Sequence, residues 1–240
     1  MNLHLVIGTP MYGGMCTSEY TQSLLNLSES ANKSDVKLTT IFLGNESLIQ
    51  RGRNTIAHHF MNLPDATHLL FIDADIKFRT EDIVKMIQAD KSLIIGPVAL
   101  KGYNWDEIRQ AALSGEDDIG RTGGVFNINR LPGIDMVNEN EPFEIEHGGN
   151  AFMMIRRDVF ETLKPHTPIY TNGGRSLPDG VEIFDYFRVE INKDTNHLLS
   201  EDYFLCHSYR QVGGKVWCAP WVETGHFGSH LFNGKYTRNN

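Results

Sequence analysis

Three short apolar runs constrain this chain more than anything else in it. They are "LHLVIG" near the N-terminus, "HLLFI" from His68 to Ile72, and "SLIIGPV" from Ser92 to Val98. None keeps up the polar–apolar alternation of a strand with one wet face, so strands of this kind are buried on both faces. Segments of helical period separate them. Tyr20, Leu24 and Leu27 share a face between about Ser18 and Ser30. Ile49, Ile56 and Phe60 share another, in a segment that Ser47 is placed to cap and that runs through Met61. Thr80 is placed to cap a third, with Glu81 and Asp82 in its first turn. "VKLTTIFLG" adds a strand ending at Gly44. Strand–helix alternation of this sort predicts an α/β fold: a mostly parallel central sheet with helices on both faces. In such sheets ligands bind beyond the carboxyl ends of the strands.

The middle, from Lys101 to about His147, reads as loops with a hairpin near Val125 to Asn129. Order returns in "NAFMMIRRDVFETL", a strand running into a helix. Thr171 to Gly180 reads as a loop, and "LLSEDYFLCHSYRQVGGKVWCAPW" as loop, helix, Gly-Gly stop and strand. Nothing marks a linker, so one domain over the 240 residues is expected. A net charge of −8 argues against a nonspecific nucleic-acid binder, although a local basic face can sit on an acidic protein. Cys16, Cys206 and Cys218 form no C-x-x-C pair and suggest neither a disulfide framework nor a zinc site. With no membrane-length apolar run and no signal-peptide pattern, a soluble cytoplasmic protein is expected.

The chemistry begins where "HLLFI" runs into Asp73-Ala74-Asp75. Residues i and i+2 of a strand point to the same side, so both carboxylates can face one cleft. Unpaired, they repel one another and resist desolvation; a divalent cation relieves both problems. Oxygen ligands suit Mg²⁺ or Mn²⁺, ions that also bridge to substrate phosphates. An ordinary composition gives on the order of one D-x-D in a chain of this length, so the apolar strand in front of it is what lifts this one above a solvated acidic turn.

Other segments add to it. Ser200 reads as a helix N-cap, which puts Glu201 and Asp202 in a first turn where the helix dipole should keep them ionised and fit to act as a base. Acids in a first turn are also simply good helix design. His226, in the glycine-rich "ETGHFGSH", is a metal ligand, a phosphate contact or a surface histidine; an imidazole joining carboxylates favours Mn²⁺ over Mg²⁺ or Ca²⁺. Arg51 and Arg53 either grip a phosphate or lie on a solvated helix face. Gly148-Gly149 makes either a close approach to a ligand or a plain turn.

Taken in order, "GTP", "SLIQRGRNTIAHHF", "THLLFIDADIKF", "GGNAFMMIRRDVF", "SEDYFLCHSYRQVGGKVW" and "TGHFGSHLF" resemble the nucleotide-sugar-dependent glycosyltransferases of the GT-A fold, in particular the small single-domain viral and bacterial type. The likeness covers most of the chain and is weak in the middle. It implies a GT-A, Rossmann-like sheet, with a donor half over about residues 1–100 and an acceptor half over about 101–240. By position it implies that Asp75 coordinates Mn²⁺ or Mg²⁺ and that Asp73 contacts the donor and helps hold the metal, with His226 completing the coordination. Thr9, Pro10 and Arg53 would lie along the nucleoside-diphosphate sugar. Gly148 and Gly149 would border the acceptor, a glycan or another hydroxyl compound, with Trp221 and Trp217 either walling the sugar or filling the core. Asp202 matches the base of inverting members, with Glu201 beside it as the alternative. The implied reaction moves a sugar to an acceptor hydroxyl with inversion, while the same fold also supports retention.

Two rivals stand beside this reading. A metal-dependent nucleotidyltransferase would also use paired carboxylates, but needs a phosphate loop with a nearby lysine, and "GTPMYGGM" holds neither Lys nor Arg. A GT-A-like domain that binds sugar or nucleotide without turnover would have little use for Asp73, Asp75 and Asp202 together.

Overall fold

The structure, a computed structural model, describes residues 3–117, 119–133, 138–173 and 176–229. The end of the "TGHFGSHLF" segment, from His230 on, lies outside the described residues, as do Gly174 and Arg175 in the expected 171–180 loop. In chain order the elements are β1 (His4–Met11), α1 (Ser18–Asn32), β2 (Lys37–Gly44), α2 (Ile49–Met61), β3 (His68–Ile72), β4 (Ile76–Lys77), α3 (Thr80–Gln88) and β5 (Leu93–Ile95). Then come α4 (Trp105–Ser114), α5 (Ile119–Thr122), β6 (Ile128–Arg130), β7 (Phe143–Gly148), β8 (Phe152–Arg156) and α6 (Arg157–Leu163). The last are β9 (Ile169–Thr171), β10 (Glu182–Phe184), β11 (Glu190–Ile191), β12 (Leu198–Leu199), α7 (Glu201–Gln211), β13 (Val216–Cys218) and β14 (Gly225–His226).

An eight-stranded sheet in the order β2-β1-β3-β8-β5-β13-β7-β6 forms the centre. Only β8 and β7 run against the other strands, so the sheet is mostly parallel in direction. Its apolar runs are unbroken for the reason anticipated. In β3, Leu69 and Phe71 enter one core while Leu70 and Ile72 enter the other. In β8, Met153 and Ile155 face the first core, and Phe152 and Met154 the second. The first is covered by α2, α6 and α7 through Ile56, Phe60, Val159, Phe160, Leu205 and Tyr209. The second is covered by α1 and α3 through Tyr20, Leu27, Ile83 and Met86. Period-two side chains with a helix layer on each side leave no wet face, and polar alternation is absent accordingly.

Several local expectations change. Ser47 does not cap α2; the N-cap is Leu48, and the Glu46 carboxylate accepts from its N–H at 3.0 Å. Thr80 is the first residue of α3 rather than its cap. The stretch around Val125–Asn129 does not turn back within itself: its end enters β6, which pairs antiparallel with the next strand, β7, and Phe126 bridges to Ala99. The middle also holds a proper helix, α4, whose signal was present. Asn104 caps it by accepting from the Glu107 N–H at 3.3 Å, and Gly115 closes it at φ 78°.

Candidate active site

Parallel strands deliver their carboxyl ends to one edge. Pro10 lies in the last residues of β1, Asp73 follows β3, and Gly96 follows β5. Because β8 is reversed, the residues that precede it, Gly149 to Ala151, reach the same edge, where the Asp73 N–H donates to the Ala151 carbonyl at 3.0 Å. The short ribbon of β14 against β4 sets His226 opposite Ile76 and so beside Asp75. The start of α7 supplies Glu201 and Asp202. A cavity of about 170 Å³ lies at this edge, lined among others by Arg53, Asp73, Gly149, Asn150, Asp202 and His226.

Arg53 organises its floor. Residues Gly52 to Ala57 of α2 are all buried, because the helix lies close on β1: a Cβ on Gly8 would meet the Ile56 Cγ2 at 2.5 Å. Arg53 is 4% exposed, with its guanidinium 5.4 Å from the centre of the Phe71 ring. Its Nη2 donates to Asp73 at 3.3 Å and its Nε to Glu201 at 3.2 Å. One buried cation therefore ties the end of β3 to the start of α7, residues that are distant in sequence. Burial raises the Asp73 carboxyl above its ordinary value, with Asp75 adding to the rise and Arg53 opposing it. Burial also raises Glu201, helped by the adjacent Asp202 charge and opposed by Arg53. Burial thus works against the helix N-terminus at Glu201.

Asp75 is arranged differently. Its Oδ2 accepts from the Lys101 ammonium at 2.5 Å and lies 3.6 Å from the His226 Nε2. The His226 Nδ1 lies 2.7 Å from the Ala99 carbonyl, which can only accept, so Nδ1 carries a proton and Nε2 is turned toward the carboxylate. An imidazole nitrogen and a carboxylate oxygen turned toward each other make half of a cation site when the ring is neutral, with the outer hydrogen bond holding its orientation. Among the described residues, no three His, Cys, Asp or Glu side chains converge on one point. Asp75 and His226 thus fit an ion that takes its remaining ligands from water and substrate oxygens, as Mg²⁺ and Mn²⁺ do. Asp73 is engaged by Arg53 instead of joining that pair.

Asp202 lines the cavity wall. Its Oδ2 accepts from the Asn150 backbone N–H at 3.3 Å, and its Oδ1 from the Tyr203 N–H at 2.8 Å and from the Ser200 hydroxyl. Ser200 holds the N-cap position, yet its hydroxyl turns to Asp202 and caps no backbone N–H. These bonds fix the carboxylate without burying it.

The other anticipated residues fall as follows. Thr9 is fully buried, with its hydroxyl 2.6 Å from that of Tyr20, and lines neither cavity. Pro10 is half-buried at the same strand end. Arg51 pairs with Glu46 through two bonds of 2.7 Å and takes no part in the cavity. A Cβ on Gly148 would meet Ile128 at 2.9 Å, and one on Gly149 the Asn127 amide at 3.0 Å, so close strand packing explains both glycines. Trp221 lines a second, wider cavity of about 1360 Å³, together with Lys101, Tyr103, Phe126, Arg130 and also His226. His226 therefore stands between the two cavities. Trp217 lies elsewhere, its ring 4.2 Å from the Lys91 ammonium. Two site residues escaped the sequence reading, Lys101 and Asn150. Asn150 follows the Gly148-Gly149 pair directly, and the glycines drew attention from it; Lys101 carried no local signal.

The α/β layout implied by the resemblance is in place: a mostly parallel sheet covered on both faces, with Asp73-Ala74-Asp75 at the carboxyl end of β3. The chain is similar to A197 from STIV over 98% of both chains, at 14% identity and a TM-score of 0.49. It is also similar to a glycosyltransferase involved in the glycosylation of the major capsid of PBCV-1, over 68% of this chain and 64% of that one, at 9% identity and a TM-score of 0.34. A third similar structure is TarS 1-349 of S. aureus, with 90% and 57% covered, 9% identity and a TM-score of 0.38. No family model and no curated protein matches the chain. Among the described residues, no helix is long and apolar enough to cross a membrane.

Proposed function

We propose that this chain is a metal-dependent glycosyltransferase that moves a sugar from a nucleoside-diphosphate sugar to an acceptor hydroxyl with inversion. The observation that carries the reading is the convergence of Arg53, Asp73, Asp202 and His226 on one small cavity at the sheet edge, with Asp75 against His226. Asp75 and His226 would hold the cation, Mn²⁺ or Mg²⁺, and the chemistry it supplies is neutralisation of the charge that a departing nucleoside diphosphate gains. Asp73 and Arg53 would orient the donor at the cavity floor. Asp202, held by three hydrogen bonds on the opposite wall, would take the proton from the acceptor hydroxyl as that oxygen attacks the anomeric carbon. The wide groove beyond His226, with Tyr103, Phe126 and Trp221 on its walls, has room for an acceptor larger than one sugar ring.

The test is release of nucleoside diphosphate from a panel of nucleotide sugars in Mn²⁺ without acceptor, since transferases leak by hydrolysis. Slow diphosphate release is expected. Pyrophosphate released from a nucleoside triphosphate and a sugar phosphate would favour the nucleotidyltransferase reading. Ligand-induced thermal stabilisation without turnover would favour a binding domain.

A further inference from the structure

Asn150 is 1% exposed and lines the small cavity, yet neither its Nδ2 nor its Oδ1 has a hydrogen-bond partner. The Nη1 of Arg53, a residue 4% exposed on the same cavity, is also unpartnered among the described residues. Buried polar atoms in native proteins are nearly always bonded, and leaving one unmet costs roughly 1–3 kcal/mol. Three such atoms around one cavity ask for a ligand that offers acceptors to two N–H groups and a donor to one carbonyl.

The surroundings narrow its chemistry. An anion offers only acceptors and would face the Asp73 and Asp202 carboxylates. A nucleobase edge offers both kinds of group, but among the described residues the cavity has no aromatic ring but His226 to stack a base on. At about 170 Å³ it is also smaller than the roughly 300–1,000 Å³ usual for a whole drug-sized ligand. A neutral ring with adjacent hydroxyls meets every requirement, because each hydroxyl both donates and accepts and the carboxylates take the remaining O–H groups.

We infer that Asn150 is a specificity residue: its side-chain amide reads a pair of neighbouring hydroxyls on the sugar ring of the donor, with Arg53 Nη1 bonding one of the same oxygens. The inference rests on the glycosyltransferase reading and adds the part of the ligand that this amide recognises.

The experiment is titration calorimetry in Mn²⁺ of wild type and Asn150→Leu with UDP, GDP, UDP-glucose, UDP-galactose and GDP-mannose, and with single-deoxy analogues of whichever sugar binds best. For wild type, the best nucleotide sugar should bind more tightly than its bare diphosphate, and one deoxy analogue should lose that gain. In Asn150→Leu, diphosphate affinity should be unchanged, while the gain from the sugar falls by roughly 5–150-fold and discrimination against the deoxy analogue disappears. The unliganded variant should also melt higher, by roughly 2–4 °C, because an unbonded buried amide has been replaced by an apolar group of similar shape. A structural role for Asn150 predicts the reverse. A sugar gain that survives the substitution, or a variant that melts lower, overturns the inference while leaving the glycosyltransferase reading intact. Should the leucine variant fail to fold, Asn150→Ser is put to the same binding criterion. Wild-type protein that binds neither diphosphates nor nucleotide sugars defeats the glycosyltransferase reading itself, and the inference falls with it.

Discussion

Two acidic pairs stand at the sheet edge, Asp73 with Asp75 and Glu201 with Asp202, and within each pair the members are treated in opposite ways. Asp73 and Glu201 share the buried Arg53. Asp75 instead faces Lys101 and His226, and Asp202 faces the cavity with its lone pairs organised by Ser200, Asn150 and Tyr203. On the proposed reading, the Arg53-bound member of each pair serves the framework and the donor's placement, and the other serves the chemistry. The difference follows from position. A single arginine projecting from α2 bridges the strand end and the helix start, and leaves Asp75 to Lys101 and His226 and Asp202 to the Ser200, Asn150 and Tyr203 donors. Carboxylates beside a cavity are what a cation and a proton transfer need.

That division of labour can be broken from either side. Asp202→Asn keeps the shape of the wall and removes the base, so turnover should fall by ~10²–10⁴-fold while donor affinity holds. A near-normal rate by steady-state kinetics would move the base to Glu201 or to no side chain. Arg53→Leu strips both framework acids of their partner and should destabilise the fold by about 3–5 kcal/mol in urea unfolding at neutral pH. The double variant Arg53→Leu/Glu201→Gln should recover part of that loss; no recovery would mean that the arginine acts mainly through Phe71.

Glu201→Gln alone has a smaller and pH-dependent effect. Because burial raises the Glu201 carboxyl in the folded state, the folded protein binds the proton more tightly than the unfolded chain does. Stability from this group is therefore lost as pH rises from the unfolded value, about 4.3, through the raised folded one. The glutamine variant should match wild type in acid and exceed it near neutrality, as read by thermal melts across pH. Equal melts at both ends would show that Arg53 fully offsets the burial. The smallest effect is expected at Lys101, a half-exposed residue in ion-pair contact with Asp75. Lys101→Met removes a positive charge that opposes an incoming cation, so Mn²⁺ affinity should tighten by roughly 1.5- to 5-fold in calorimetry, the scale of a surface ion pair. Weaker Mn²⁺ binding would make the lysine a helper of the site rather than its competitor.

The sequence was legible wherever structure follows from a local pattern. Unbroken apolar runs declared a sheet buried on both faces, and Asp73 and Asp75 fell at a strand end as read. Helix α7 and its acidic first turn were also visible. What was not legible depends on partners far away in the chain. No local pattern says that Arg53 meets Glu201, that β6 pairs with β7, or that Lys101 reaches Asp75. Burial likewise has no signature in one dimension, and so the dipole argument at Glu201 left out the desolvation that opposes it. Asn150 is the sharpest case: next to two glycines it reads as a turn residue, and only its burial without partners marks it out.

The most direct test of the central claim is the manganese dependence of nucleoside diphosphate binding, measured by calorimetry for wild type and Asp75→Ala with UDP and GDP. Wild type should bind one of them in Mn²⁺ and lose most of that affinity in EDTA, whereas Asp75→Ala should bind weakly and equally in both. An Asp75→Ala protein that keeps wild-type affinity in manganese, or a wild type indifferent to the metal, would contradict the account.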